Sequence, residues 1–391
     1  MRVVNLLQTS RCFQLGEGWV LFQPNNARLM ALNNTGKLVL DLFSAGYGQD
    51  EIASFFVLQF DLSAKQAESD VQNVLADLIE VKNIEIHLDT QISDPKRPSL
   101  AQETLDSLSL PNCFTPMGTF CFGSHCVQIH LQTTLVEHIA MYFSRFYHRL
   151  IPPTEDATLL EIFRTPEGFQ LRFQGEVIAT KESSTELHEK ISELLLAWEH
   201  PHIDFLAYFH AAAISKGPRS VLLPGVSGSG KTTLTAFLVG HGFDYHGDDV
   251  IAMAINDGSL RPLPTQLSIK TGSWLLLESL YPTLPNLPTI NCYGREVRYV
   301  QPRQTKASGH APSVILFPTY KKERATQLSP LTPFQTMIRL LETSMNLDQP
   351  ATEEKLAELI RFVETTPAYI LTYNDLSNAK AVIEELLDDA N

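Results

Sequence analysis

The chain has 391 residues, 44% of them hydrophobic and 19% charged, which is ample apolar material for the packed cores of two or three soluble domains. Thirty Lys and Arg stand against 44 Asp and Glu, a formal net charge of −14. That balance excludes general nucleic-acid binding, because phosphate contacts need basic side chains. The five cysteines (Cys12, Cys113, Cys121, Cys126 and Cys292) are odd in number and irregularly spaced. They predict no disulfide framework and a reducing compartment. The first residues lack the basic end and apolar run of a secretion signal. No stretch approaches the ~18–20 apolar residues of a membrane span. The expected location is cytoplasmic, with no membrane partner.

In chain order, residues 1–87 read as a small unit. Residues 19–22 and 27–32 are short strands joined by the turn formers Pro24, Asn25 and Asn26. Three amphipathic helices follow. The first spans 35–43, with Leu38, Leu42 and Phe43 on one side. The second spans 49–59, with Ile52, Phe55 and Phe56. The third spans 63–81, with Ala67, Val71, Val74, Leu75 and Leu78. Asn34 or Thr35 is placed to cap the first, and Ser63 the third. Residues 88–112 carry Pro95, Pro98 and Pro111 among polar residues and read as a linker.

Residues 113–200 mix strand and helix. The alternation of 127–131 puts Val127, Ile129 and Leu131 on one strand face and His130 on the other. Cys121, His125, Cys126 and His130 are close in sequence, but no second ligand pair follows, so no metal is expected there. Helices are expected over 135–147 and 185–198. Strands are expected over 159–164 and 169–178, the latter bending at Gln174 and Gly175. From 203 onward the pattern turns α/β. Strands are expected over 220–223, 244–253, 313–320 and 368–373, and helices over 231–239, 352–364 and 377–387.

The chemistry concentrates in one loop. Gly225, Val226, Ser227, Gly228, Ser229, Gly230, Lys231 and Thr232 fit the pattern G-x-x-x-x-G-K-[ST], between a strand and a helix. Three glycines let successive backbone N–H groups turn toward phosphate oxygens, and the following helix, which also carries Thr233, adds its positive end. Lys231 is placed to hold the β- and γ-phosphates and Thr232 to ligate magnesium. The cofactors implied are ATP and Mg2+. In the next strand, Asp248 and Asp249 are adjacent and should face opposite ways, hence in different roles. One is suited to hold magnesium, the other to accept the proton of an attacking hydroxyl.

Residues 203–275 resemble the HPr kinase/phosphorylase superfamily of bacterial protein-serine kinases. The resemblance rests on His210 ending a strand, on Lys231 in the P-loop, and on Asp248 with Asp249 beyond the next helix. It implies Lys231 on phosphate, Thr232 at magnesium, Asp249 as base and His210 in support, and Asp248 is then the carboxylate expected at the metal beside Thr232. The chain departs from the bifunctional enzymes in two ways. Residues 264–273 hold no carboxylate where those enzymes carry a magnesium-ligating glutamate, and their phosphate-removal arginine loop is not recognisable. Lys270, Arg298 and Lys306 are the cations available in its place. The pattern, including Val297, Arg298 and Tyr299, looks more like divergent HPr-kinase-related proteins of bacterial gene clusters.

Residues 1–87 resemble PqqD-type domains, through Leu32, Asn33, Asn34, Thr35 and Gly36 followed by amphipathic helices. Such domains bind leader peptides of ribosomally made, modified peptides. The arrangement also resembles a winged helix. However, residues 35–90 hold three Lys and ten Asp or Glu, which argues against DNA. The expected fold is thus an α/β P-loop kinase core, HPr kinase-like, preceded by a winged-helix-like α+β PqqD-like domain. The expected boundaries are 1–87, a linker at 88–112, an α+β subdomain at 113–200 and a kinase domain at 201–391. The expected function is phosphorylation of a hydroxyl on a recruited peptide or protein. Two other readings use the same residues: a small-metabolite kinase, and a binding or chaperone module in which ATP only sets conformation.

Overall fold

The computed structural model describes residues 10–23, 28–60, 62–79, 114–226, 228–292, 294–302, 310–344 and 352–389. The expected linker at 88–112, the turn at Pro24, Asn25 and Asn26, Cys113, Ser227 and Lys306 lie outside the described residues. The chain divides into two compact units. One comprises Met1–Ser93 with Leu331–Glu342 and Pro350–Thr365. The other comprises Asp94–Pro330, Thr343–Gln349 and Thr366–Asn391. The sequence boundaries put all of 201–391 in one domain, whereas two stretches near the C-terminus group with the N-terminal residues.

The first unit has an antiparallel sheet of Arg11–Leu15, Gly18–Gln23 and Arg28–Leu32, with Gly18–Gln23 in the middle. The helices Asn34–Ser44, Gln49–Phe60 and Ala64–Ile79 follow, close to the expected spans. The first is capped by Asn33, not Asn34 or Thr35: the Asn33 side chain accepts from the Gly36 N–H at 2.7 Å. Their apolar faces close over the sheet through Leu21, Leu32, Val39, Ile52, Phe56 and Val71. Phe55, expected inside, is 39% exposed. The helices Pro333–Glu342 and Glu353–Thr365 complete the unit. Phe334 rests on Gly18 so closely that a Cβ there would lie 2.3 Å from its ring. Arg11 pairs with Glu353 at 2.6 Å, and the Thr332 hydroxyl donates to Glu17.

The second unit is built on a seven-stranded mixed sheet. Its order is Leu260–Pro262, Asp244–Ala254, Phe205–Lys216, Arg219–Pro224, Val314–Tyr320, Ala368–Tyr373 and Gln327–Pro330. Arg219–Pro224, Val314–Tyr320 and Ala368–Tyr373 run parallel, and the outer pairings are antiparallel. The helices Lys231–Gly240 and Leu376–Asp389 bury Leu234, Leu238 and Ile383 with strand residues Leu223, Leu316 and Leu371. A small sheet of Leu267–Lys270, Arg295–Val300 and Ile290–Cys292 joins the same core through Leu267, Ile269 and Val300.

A six-stranded sheet spans residues 114–181 and carries the helices Val136–Ser144 and Ser184–Glu199. Val127, Ile129 and Leu131 all point into its core, as their alternation predicts. The expected bend at Gln174 and Gly175 is a full hairpin turn, both residues having positive φ, so one expected strand is two: Gly168–Phe173 and Glu176–Lys181. That core continues into the seven-stranded sheet through Phe205, Tyr208, Val250 and Leu263, which sets the end of Val136–Ser144 beside the aspartate strand. One expectation is corrected: Cys121 and Cys126 form a disulfide. They face each other directly across a hairpin, with Cα atoms 4.2 Å apart, so the register itself brings them together. Among the described residues, no cluster of His, Cys, Asp and Glu fits a metal ion, and no helix is long and apolar enough to cross a membrane.

Candidate nucleotide and phosphoryl-transfer site

Strand Arg219–Pro224 is buried mid-sheet and delivers the glycine-rich loop to the N-terminus of helix Lys231–Gly240. Gly228 and Gly230 both take φ of 91°, a left-handed turn that glycine adopts without a steric penalty. At Gly230 a side chain is doubly excluded, since a Cβ would lie 2.2 Å from the Tyr373 hydroxyl. That hydroxyl donates to the Gly230 carbonyl at 3.1 Å, and the Tyr320 N–H donates to the Ser229 carbonyl at 3.1 Å. The neighbouring parallel strands thus hold the loop from beneath. Val226 is 45% exposed at its tip. Thr233 turns aside, its hydroxyl 2.6 Å from that of Ser273.

Asp248 gathers the two chemically loaded residues of the helix start. The Thr232 hydroxyl donates to Asp248 Oδ2 at 2.7 Å, and Lys231 Nζ lies 3.2 Å from Oδ1. Both charged side chains are only 6% exposed. The Lys231–Asp248 contact lacks hydrogen-bond geometry, so Nζ and Oδ1 each remain buried without a hydrogen-bond partner among the described residues, as does Ser229 Oγ. An ammonium buried in this way needs an anionic acceptor. A loop of this curvature, with orphaned donors on Lys231 and Ser229, fits a polyphosphate. Asp248 beside Thr232 fits a magnesium ion on it. The strand is fixed by Thr265, whose hydroxyl donates to the Asp248 carbonyl at 2.6 Å, and by Tyr245, whose hydroxyl donates to the Thr265 carbonyl at 3.0 Å.

Asp249 does separate work. Its φ is 97°, a strained value for a residue with a Cβ, worth about 1–3 kcal/mol. It forms an ion pair with Arg145. His210 Nδ1 lies 3.1 Å from both its Oδ1 and its carbonyl oxygen. The carbonyl can only accept, so Nδ1 carries the proton. Burial works against the charged carboxylate, but Arg145, His210 and Lys231 outweigh it and hold the carboxyl well below the usual range. His210 is itself pinned, its backbone N–H donating to Thr343 at 2.7 Å.

The structure therefore brings Lys231, Thr232, Asp248, Asp249 and His210 into one region. Lys270 belongs beside them: burial lowers its ammonium, as do Arg295 and Lys231, against the pull of Asp248 and Asp249. Arg298 does not join the group. It lies on the Trp274 ring at 3.8 Å and donates to the Leu284 carbonyl at 3.0 Å. Sequence reasoning missed Arg145, Thr265 and Tyr373, none of which carries a local motif. The distance along the chain from Arg145 to Asp249, 104 residues, hides the most important of these contacts.

Behind Arg145, Tyr142 stacks on His188 at 4.8 Å. Burial first, then Arg145, push the His188 imidazole from 6.5 down to about 4, with Asp249 pulling the other way. A folded value below the unfolded one favours the neutral ring. Its stabilisation is complete above about 6.5 and is lost as pH falls toward 4, by roughly 3 kcal/mol. His188→Gln is expected to flatten that limb of a thermal-stability profile. A folded variant with the wild-type slope would assign the pH dependence elsewhere.

Residues 18–84 match the family model for coenzyme PQQ synthesis protein D (PqqD). This stretch is PqqD-like. Among solved structures, the chain is similar to the HPr(Ser) kinase/phosphatase of Coxiella burnetii, with 14% identity and a TM-score of 0.24, over 46% of this chain and 88% of that one. A search of curated proteins returned no match.

Proposed function

We propose that this protein is an ATP-dependent kinase of the HPr kinase-related type, with an α/β P-loop core. It phosphorylates a Ser or Thr hydroxyl on a peptide or protein recruited through the PqqD-like residues, in the making of a modified peptide. ATP places the reaction in the cytoplasm. The observation that carries this reading is the meeting of Lys231 and Thr232 at Asp248, with Asp249 beside it. On this reading residues 1–87 recruit the acceptor, and residues of 201–391 outside the stretches 331–342 and 350–365 carry the chemistry.

ATP with magnesium supplies the phosphoryl group and its charge balance. Gly225, Val226, Ser227, Gly228, Ser229 and Gly230 wrap the phosphates with backbone N–H groups. Lys231 neutralises the β- and γ-oxygens, and Thr232 with Asp248 would hold the metal. Asp249 accepts the acceptor's hydroxyl proton as its oxygen bonds to phosphorus and ADP departs. His210 orients Asp249. Because Asp249 is held as a firm anion, it contributes by position more than by basicity.

Asp249→Asn is expected to keep ATP affinity within about threefold and to slow transfer by about 10²–10⁴-fold. Labelled ATP, with candidate precursor peptides, measures both. Wild-type transfer by the Asn variant would remove Asp249 from the chemistry. One observation favours a second reading: Asp249 is already engaged by Arg145 and His210, as in a switch where nucleotide only sets conformation. Phosphate release with no labelled acceptor, across all peptides tried, would favour that switch.

A further inference from the structure

The kinase reading uses residues of 201–391, yet the site contains a cation from outside that segment. Arg145 follows directly on helix Val136–Ser144 and caps its C-terminus. Its carbonyl accepts from the Gln266 N–H at 2.9 Å, which fastens this end to the segment preceding Leu267–Lys270. The guanidinium lies over the Tyr142 ring at 4.8 Å. Tyr142 is held in turn by its stack on His188 and by a 2.7 Å hydrogen bond between its hydroxyl and Ser192 on Ser184–Glu199. The arginine is therefore braced from behind by two helices, with its side chain 19% exposed. Its charge is directed at Asp249. Tyr299 and Cys292, 3.3 Å apart, flank it on the side of the small sheet.

We propose that Arg145 is a positioning residue for phosphoryl transfer: it holds Asp249 in its strained backbone conformation, facing the phosphate loop, and so acts on the transfer step and not on nucleotide affinity. The inference rests on the kinase reading above. An arginine suits the task because its planar fork fixes the direction of a carboxylate, which a lysine ammonium does not. His210 braces Asp249 from one side through Nδ1, and Arg145 braces it from the other. His210 meets the carbonyl and Oδ1, and Arg145 holds Oδ2, so the direction of the carboxylate is set by the two together.

The test uses the full-length chain with ATP and magnesium. Phosphate release is the readout, water standing in for the acceptor, and calorimetry gives ATP affinity. Arg145→Ala is expected to lower kcat about ten- to a hundredfold while KM and Kd for ATP move less than about threefold. Arg145→Lys should recover part of the rate, since charge is restored without the fork. In an Asp249→Asn background, Arg145→Ala should cost less than about threefold further, because the two act as one unit. A rise in KM at unchanged kcat would make Arg145 a nucleotide ligand and overturn the inference. Fully additive losses in the double variant, or an unchanged kcat in a folded Arg145→Ala, would overturn it too. Should Arg145→Ala fail to fold, Arg145→Lys and Arg145→Gln carry the same comparison. A wild-type protein that neither releases phosphate nor labels any precursor peptide would remove the kinase reading, and this inference with it. Wild-type turnover matched by Arg145→Ala removes the inference alone.

Discussion

Lys231→Ala is expected to fold and to bind ATP–magnesium about a hundredfold more weakly, with transfer lost. The ammonium is the buried cation of the loop, and its hydrogen bonds are unmade in the free protein. A charge-assisted bond of this kind contributes ~1.5–3 kcal/mol, so removing those to phosphate accounts for that fall in affinity. The same substitution removes the ion-pair partner of the Asp248 carboxylate, which is only 6% exposed and accepts a hydrogen bond from the Thr232 hydroxyl. Folding stability should therefore drop by about 1–3 kcal/mol. Adding Asp248→Asn should restore much of that stability without restoring ATP binding. Calorimetry and thermal melts separate the two effects. A folded Lys231→Ala protein with wild-type ATP affinity would show that the nucleotide, if bound, is held elsewhere.

Removing residues 1–93 should have the largest structural effect. The helices Pro333–Glu342 and Glu353–Thr365, which group with the N-terminal residues, bury Phe334, Met337, Leu340, Leu356 and Phe362. Each large apolar side chain gains roughly 1.5–3 kcal/mol on burial, and a whole domain is stable by only ~5–15 kcal/mol. The remaining fragment should aggregate or melt without a cooperative transition. A monodisperse 94–391 fragment with a sharp melt would overturn the grouping of those helices with the N-terminal residues. A peptide-docking role is accordingly better tested by surface substitutions in residues 18–84 than by deletion.

How legible the site was depended on distance along the chain. The glycine-rich loop is eight consecutive residues whose shape depends on local backbone curvature, so its pattern is visible in the sequence alone. His210, Asp248 and Asp249 lie on adjacent strands close in sequence, and their spacing carried the information. Arg145 and Tyr373 act across 104 and 143 residues, and the chain near each has no pattern that names a partner. The φ of Asp249 was equally hidden, because alternation along a strand assumes ordinary backbone angles. For the fold, amphipathic period placed the helices near 352–364 and 377–387 correctly, but period reports that a face is buried, not against what. The first of these helices packs in the N-terminal unit and the second against the central sheet. The cysteine pair failed for a related reason: counting and spacing do not reveal which cysteines a hairpin sets face to face.

The bond between Thr332 and Glu17 spans 315 residues, and it has a consequence for biosynthesis. A ribosome adds roughly 5–20 residues per second, so Glu17 emerges about 15–60 s before its partner. During that interval Gly18 has no Phe334 ring above it, and Arg11 has no Glu353. Residues 11–18 therefore complete their contacts only after residues 332–353 have emerged. The glycine-rich loop waits as well, since Tyr373 supports Gly230 across 143 residues. A nascent chain that has not yet been extended to Tyr373 therefore lacks the hydroxyl that holds the Gly230 carbonyl, and the curvature of the glycine-rich loop is completed only once that strand has been made.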